Sequence, residues 1–546
     1  MLLSLTHKSN QMAADIAQFL ESRASSVHRR TISLMGEDYL EIVVSCGNSE
    51  YAYTINDQRA IVHSLDDDFL RQVLIINGLR YEISPGEIIN KHFYVLVYEM
   101  SVISIKQKTY ANGNSSSKYV EEDQCKRVAD LAKRAIYLLG LDYGMVKIAV
   151  TGSKKNRVVM IDSSPEIREK DMKSLLKKLD KLINYGSYMK IQEIKMGADP
   201  EFMLSNARNS KMVAASQFFP REGMVGCDNI RVPSRQQRPV GELRPKADFS
   251  PLQLFANIQQ ALRYACKLVP YRNIKFVAGS QPHKGYSIGG HIHFSNLNLN
   301  NHILRALDTY VGLPVFLIEN QDTAVRRRKK YGFLADYRVK DYGGFEYRTP
   351  GSWLVSPEIA RAVLCLAKIV ASSYLSLPRN CFATIEAQKA FYEGDQEYLR
   401  QFFEPLWADI NALSVYDAMA DEIQIIADMI VNNIVWDERA DIRKTWNING
   451  SSFRNNMNPS LVRSELRSET PAEEPANSST SDSAQDDSQI SDRSRPSPRR
   501  TNRSHSSATS TDTGTDDRDS RDRRTRNPNR TSTSRPIYVS SQNFFR

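Results

Sequence analysis

Cysteine is scarce in this chain, with six in 546 residues and no pair at CxxC spacing. Cys46, Cys125, Cys227, Cys266, Cys365 and Cys381 stand far apart, which argues against a zinc ribbon or a disulfide framework and fits a reducing, cytoplasmic setting. Long apolar runs are also missing. The nearest, "RAVLCLAKIVASSYLSLP", is broken by Lys368, short of the ~18 uninterrupted apolar residues of a spanning helix, and its spacing suits a core helix. The opening "MLLSLTHKSN" turns polar too early for a signal peptide's apolar centre. No membrane partner is expected. Internal repeats, zinc-finger motifs and RNP-like motifs are absent as well, so nucleic-acid binding beyond a weak, non-specific level is not expected.

What is present describes a globular protein. Hydrophobic residues make up 41% and charged residues 25%, and the length suggests two to four domains. The net charge of +10 suits anionic partners in general: nucleotide phosphates, nucleic acid and acidic protein surfaces all qualify. From Leu461 onward the chain holds 15 Arg against 13 Asp plus Glu, with almost no aliphatic residues. Such a polyampholyte cannot bury enough apolar area to offset chain entropy, so residues 456–546 read as a disordered tail.

Residues 1–190 alternate strand-like runs ("YLEIVVSC", "HFYVLVYEM", "MVKIAV", "NRVVMID") with helical ones and read as a smaller α+β domain. Within them "YANGNSSSKY" reads as a flexible loop, and the lysines of "EKDMKSLLKKLDKLINYGS" as a solvated helix face. Residues 194–385 are the densest part: strand-like pieces separated by long helices, the pattern of an α+β fold with an antiparallel sheet covered by helices on one face. Residues 386–455 read as a helical extension.

Four of these strand-like pieces carry a polar pair at i and i+2. They are Asp199 and Glu201, Glu242 and Arg244, His291 and His293, and Glu346 and Arg348. Side chains alternate along a strand, so each pair shares a face and its apolar neighbours take the other. Each pair has an ordinary reading: Asp199-Pro200 as a turn, Glu242 and Arg244 as partners of one another or of solvent, the two histidines as an exposed strand. Four together, with Gly241, Gly289, Gly290, Gly343 and Gly344 permitting close backbone approach or a bend, read as a site. Carboxylates with an imidazole suit Mg²⁺ or Mn²⁺, and arginines suit a phosphoryl group in transfer. In "AVRRRKKYGFLADYR", Arg326 and Arg338 are the site candidates, whereas Arg327, Arg328, Lys329 and Lys330 read as a solvated loop. Pro200 reads as a strand start or a sheet edge, where its missing N–H costs little.

The strand "GGHIHFSN" resembles the glycine-rich HxH strand of glutamine synthetases, and "FEYRTPGSW" resembles their ExR strand and proline turn. Taken in order, "GADPEF", "GELRP", "GGHIHF", "YGFLADYR" and "FEYRTPGSW" resemble most closely the glutamine-synthetase-like carboxylate–amine ligases, the phage-type amidoligases of type 2, over residues 194–380. The resemblance implies an ATP-dependent ligase: a carboxylate is phosphorylated, and an amine attacks the acyl phosphate to give an amide. It implies that Glu201, Glu242, His291 and Glu346 hold Mg²⁺ (or Mn²⁺). Arg348, with Arg326 and Arg338, would contact the transferred phosphate. Asp199, His293 and Arg244 would support the nucleotide and its metal. A further carboxylate that glutamine synthetases carry near the second motif has no counterpart here, which leaves the number of metal ions open. The implied partners are a carboxylate and an amine, including those of peptides or proteins.

A second resemblance concerns "YLLGLDYGMVKIAVTGSKKNRVVMIDSSPEI", which is similar to the closing strands of ATP-grasp ligases. Met160 stands where that family has Glu, Asp162 where it has Asn, and Ala149 where it has a metal-binding Asp. The resemblance therefore implies a degenerate ATP-grasp-like domain serving as scaffold or substrate platform, with an unrelated α+β domain as the other reading. For the whole chain, the alternative to an active ligase is a catalytically inactive relative with a structural or recruiting role; a metal-dependent hydrolase would want zinc-rich ligation instead.

Overall fold

Strands with period-two alternation build three sheets in the computed structural model, which describes residues 1–448 except 47–50, 84, 153–154, 186–192 and 234. The first joins β1 (Leu2–Lys8), β2 (Ser26–Leu34), β3 (Glu37–Ser45) and β4 (Ala52–Ile55) in the order β2-β3-β1-β4. The second joins β5 (Ile89–Tyr98), β6 (Ser101–Ala111), β7 (Asn114–Tyr119), β8 (Tyr143–Thr151) and β9 (Asn156–Asp162) in the order β7-β6-β5-β8-β9, all antiparallel. The stretch expected to be a flexible loop is the turn and return strand of the β6–β7 hairpin. Asn112 and Gly113 both have positive φ, 49° and 77°, the two-residue turn whose twist matches that of the strands it joins.

The third sheet follows the helix Glu169–Tyr185. It comprises β10 (Lys195–Asn206), β11 (Met212–Val213), β12 (Val225–Cys227), β13 (Val240–Leu243), β14 (Ile274–Val277), β15 (Gly290–Ser295), β16 (Tyr337–Val339) and β17 (Phe345–Tyr347). Its main path is β12-β13-β10-β15-β17-β16, with β11 and β14 also on β10, and every pair is antiparallel. The expected α+β class, an antiparallel sheet covered by helices after a smaller α+β part, is the fold adopted.

Alternation sorts the residues of this sheet. Met196, Ala198, Phe202 and Leu204 of β10, Leu243 of β13, Ile292 and Phe294 of β15 and Phe345 and Tyr347 of β17 all belong to one buried core. The helix Pro251–Leu268 packs on β10, β12 and β13, and the helix Pro357–Ser373 packs against it. The latter is long and apolar enough, extended to Ser376, to cross a membrane, yet 78% of that stretch is buried inside the protein. Lys368, the residue that interrupts its apolar run, is buried too and donates from Nζ to the Ile194 carbonyl at 2.6 Å.

Two glycines expected near a ligand serve the packing of the sheet. A Cβ on Gly241 would lie 2.7 Å from the Phe202 ring, and one on Gly290 2.3 Å from Trp353 Nε1. Pro200 is neither a strand start nor at a sheet edge. It stands mid-strand in β10, opposite Gly290, and pairing with β13 begins only at Glu201. The Glu201 N–H points to the β15 side, bonding the Gly289 carbonyl at 2.9 Å. By alternation the proline nitrogen faces the β13 side just outside that ladder, so its missing N–H costs no bond.

The described residues belong to one compact unit. One apolar core runs from Tyr39 of β3 to Trp446, while a second lies under β1, β3 and the helix Gln11–Glu21. The tail assigned to 456–546, part of the 190–194 boundary and the last residues of the helical extension lie outside the described residues.

Candidate active site

The strand registers bring the four doublets onto one face. Glu201 pairs with Glu242, Asp199 with His291, His293 with Glu346, and Arg338 with Glu346 across β16 and β17. Cross-strand partners point the same way, so the polar residues project together from the side opposite the helices. At the centre, His291 Nδ1 lies 3.3 Å from Asp199 Oδ1 and 3.2 Å from Glu346 Oε1, and one ligand atom from each of these residues lies within 4.8 Å of the others. His293 Nε2 is 2.9 Å from the same Asp199 oxygen. Gly289 donates its N–H to Glu201 Oε2 at 2.7 Å, and a Cβ at Gly289 would collide with the His291 ring at 2.3 Å.

Cations ring this centre. Arg348 Nε is 3.1 Å from Glu346 Oε1, and Arg338 Nη1 and Lys340 Nζ are 3.3 and 2.5 Å from Glu346 Oε2. Asp336 holds the other end of Arg348 at 3.4 Å. Arg244 turns back onto its own doublet partner, Glu242, at 2.6 Å. Lys340 stands two residues after Arg338, on the same face. It is the second member of a fifth doublet that the alternation rule would have found.

Two cavities flank the centre. One of about 770 Å³ is lined by Asp199, Glu242, Arg244, His293, Lys340 and Tyr342 among others. One of about 360 Å³ is lined by Glu201, His291, Arg327, Tyr331 and Arg348 among others. Asp228, Asn229 and Arg338 line both.

Arg326 departs from expectation. It is exposed on the helix Gln321–Arg328, its Nε bonds Gln281 Oε1 at 3.1 Å, and it lines neither cavity. The two arginines after it, read as solvated, are buried at 1% and 4% exposure. Arg327 donates to the carbonyls of Ile288, Thr349 and Arg348, clamping the entry to β15 and the exit from β17. Arg328 pairs with buried Glu319 at 3.0 Å. The segment was read as a loop; a helix capped by Asn320 turns both residues inward with Ala324.

Electrostatics divide the carboxylates. Burial, with Asp199 next, pushes the Glu242 carboxyl up to about 8, and burial pushes Glu201 up to about 7. Asp199 goes the other way: burial would raise it, but the bonds and charges of His291 and His293 hold it well below the usual carboxylate range. Glu346 is lowered as well, burial and Asp199 being outweighed by His291, Lys340 and Arg338. His291 is raised, since Glu201 and Asp199 outweigh its burial.

These residues fit a hard divalent cation. Glu346 Oε1 is buried and makes no hydrogen bond, although Arg348 Nε and His291 Nδ1 lie 3.1 and 3.2 Å away, and the donor set is carboxylate oxygen plus one imidazole nitrogen. A second acidic group, Glu99, Asp142 and His302, does not share that feature. Tyr53 and the Asn301 N–H bond Glu99, Asn56 and Arg305 bond Asp142, and His302 Nε2 sits 2.9 Å from the Thr54 carbonyl.

The sheet thus carries a buried carboxylate–imidazole centre ringed by arginines on one face. Residues 196–448 match the family described as phage phiEco32-like COOH.NH2 ligase-type 2, the family that the five motifs resemble. No curated protein matches the chain in sequence. Solved structures similar to parts of it are ATP-grasp ligase PsnB complexed with minimal precursor, macrocyclase MdnC bound with precursor peptide MdnA from Microcystis aeruginosa MRC, and a bifunctional glutathione synthetase from Pasteurella multocida. PsnB is 15% identical over 24% of this chain and 64% of its own, at a TM-score of 0.20. MdnC is 7% identical over 33% and 98%, at 0.23, and the glutathione synthetase 11% over 51% and 49%, at 0.30.

Proposed function

We propose that the protein is an ATP-dependent carboxylate–amine ligase that forms an amide through an acyl phosphate. The supporting observation is the buried Glu346 oxygen with no hydrogen-bond partner, set beside Asp199 and His291 and ringed by Arg348, Arg338 and Lys340. In this reading Glu201, Glu242, His291 and Glu346, with Asp199, hold Mg²⁺ or Mn²⁺. When bound, the metal neutralises phosphate oxygens.

The residues of the chain do the rest. The larger cavity takes the nucleotide, with Arg244, Lys340 and His293 on its wall, and the smaller takes the reacting carboxylate. Arg338, on the wall of both, and Arg348, steadied by Asp336, stabilise the phosphoryl group as it passes between them. A substrate carboxylate oxygen bonds to the γ-phosphorus and ADP leaves. The amine then attacks the carbonyl carbon, inorganic phosphate leaves, and Asp228 on the shared wall receives the amine proton. The acid and amine include groups carried on peptides or proteins.

Two measurements test this. Titration with ATP and Mg²⁺ should show metal-dependent nucleotide binding; its absence would point to an inactive, recruiting relative. Glu346→Gln should lower ADP release about 100-fold or more, while circular dichroism and the thermal midpoint stay near wild type. An unchanged rate would place the chemistry elsewhere.

A further inference from the structure

The second sheet has an uncovered half that the ligase reading does not use. One face packs its apolar residues, Phe93, Val95, Ile105, Val146 and Ile148, into the main core against the helix Lys126–Leu138. On the other face, Leu96, Tyr98 and Tyr143 lie in the second core with Leu175 and Leu179 of the helix Glu169–Tyr185. That cover ends part-way along the strands. Beyond it the registers place Tyr94 beside Lys106 and Lys147, His92 beside Lys108, and Lys147 beside Met160.

Three lysines therefore share one half-face. Lys106 is exposed, Lys108 and Lys147 are partly exposed, and none has an acidic partner among the described residues. Lys108 and Lys147 stand over the rings of Tyr110 and Tyr94, at 5.3 and 5.7 Å, and Met160, opposite Lys147, is 42% exposed. Acids on neighbouring elements are engaged: Glu87 pairs with Arg157 at 2.7 Å, Asp162 accepts the Ser164 N–H at 2.9 Å, and Asp171 pairs with Arg168, which stacks over Tyr119. Burial, with Lys147 and Lys108 beside it, holds the His92 imidazole below its ordinary value. Ala149, Met160 and Asp162, the three positions of the ATP-grasp-like resemblance, lie on this same face. With Ala and Met in two of them, the face offers cations without a metal-binding carboxylate set.

The edge of the sheet is open here. All six residues of β7 are exposed, and among the described residues no strand pairs with its outer side. Val120 donates its N–H inward to the Ile105 carbonyl, so by alternation Ser115, Ser117 and Tyr119 turn their N–H and C=O outward. The same three residues put their side chains on the lysine face, opposite Tyr110, Lys108 and Lys106.

We propose that this corner binds an acidic, extended peptide segment as an added strand along β7, its carboxylates reaching Lys106, Lys108 and Lys147. Charge complementarity selects an acidic partner, and outward backbone groups beside the lysines select a peptide over a nucleic acid, which has no matching ladder. The ligase reading enters only in making that peptide the carrier of a reacting group.

The test is fluorescence anisotropy with a labelled twelve-residue peptide of alternating Glu and Ser, using the full chain. Wild type should bind it, less tightly as salt rises. Lys106→Glu/Lys108→Glu should weaken binding about tenfold or more, whereas Lys389→Glu/Lys444→Glu, the same charge change elsewhere, should leave it near wild type. Ser117→Pro, which removes an outward N–H and leaves the inward ladder whole, should also weaken it. Equal losses in both lysine pairs, wild-type affinity in Ser117→Pro, or tighter binding of oligo-dT abolished by the first pair would each overturn the proposal. Glu346→Gln should still bind the peptide, so a failure here is distinct from a failure of the ligase reading.

Discussion

Asp308 is a buried carboxylate that accepts four hydrogen bonds behind the site and lines neither of its two cavities. It is 1% exposed in the π-turn Asp308–Gly312 and accepts from Tyr137 and Tyr347 hydroxyls at 2.8 Å each, Thr349 at 3.1 Å and the Ala335 N–H at 2.7 Å. It thus holds the residues directly after Glu346 and directly before Asp336. Burial outweighs those four bonds and pushes its carboxyl up to about 6, from 3.8. A carboxyl raised in the fold takes up its proton more readily there than in the unfolded chain, so its contribution to stability is full below pH ~4 and is lost as pH rises through ~6. Relative to Asp308→Asn, wild type should gain about 2 kcal/mol between pH 7 and pH 4. Urea unfolding of both proteins across that range checks it, and a pH-independent difference would sink it. At this scale the doublets were legible because strand alternation is a local rule. Lys340 obeyed the same rule and was passed over, and Arg326 was preferred to Arg327 because a run of cations looks solvated until a cap, here Asn320, is seen to turn it into a helix.

Elements meet their constraints at backbone contacts that sequence shows only as a small residue. Gly290 opens β15, the strand of His291, and Trp353 donates from Nε1 to its carbonyl at 2.9 Å. A methyl group there would meet the buried indole at 2.3 Å and the Gly351 carbonyl at 2.7 Å. Gly290→Ala should therefore cost about 1–3 kcal/mol and lower ADP release by displacing His291. Gly113→Ala makes the contrast: nothing lies within 4 Å, but φ is +77°, so a loss of about 1 kcal/mol is expected with turnover unchanged. Thermal midpoints and ADP release for the two variants separate packing against the site from turn strain. The β6–β7 hairpin was missed because its return strand β7 is Ser-, Asn- and Lys-bearing on an exposed edge, and only the Asn-Gly pair announced the turn. Pro200 misled for the opposite reason: proline argues against an interior strand unless its nitrogen faces a gap in the ladder, and that gap depends on where a distant partner begins to pair.

At the scale of the whole molecule, the least legible feature is the joining of the N-terminal part to the rest. Asn301 donates its N–H to Glu99 at 2.6 Å, Arg305 bonds Asp142 at 2.7 Å and the Leu141 carbonyl at 2.8 Å, and Asn77 bonds Gln388 at 2.5 Å and Tyr392 at 2.7 Å. These partners are about 160 to 315 residues apart, beyond any local pattern. The buried acids also repel: burial, with Asp142 next, pushes Glu99 up to about 8. Arg305 is the cation paired with Asp142, so Arg305→Ala leaves that buried carboxylate beside Glu99 without its charge partner. Its cost should be about 3–5 kcal/mol. Because the apolar core continues across the same seam, the loss should fall on the whole unit, with residues 1–448 unfolding in one step in wild type and variant alike. Differential scanning calorimetry beside circular dichroism reads this directly. Two separate transitions, with only the first moved by Arg305→Ala, would show that the N-terminal sheets fold on their own.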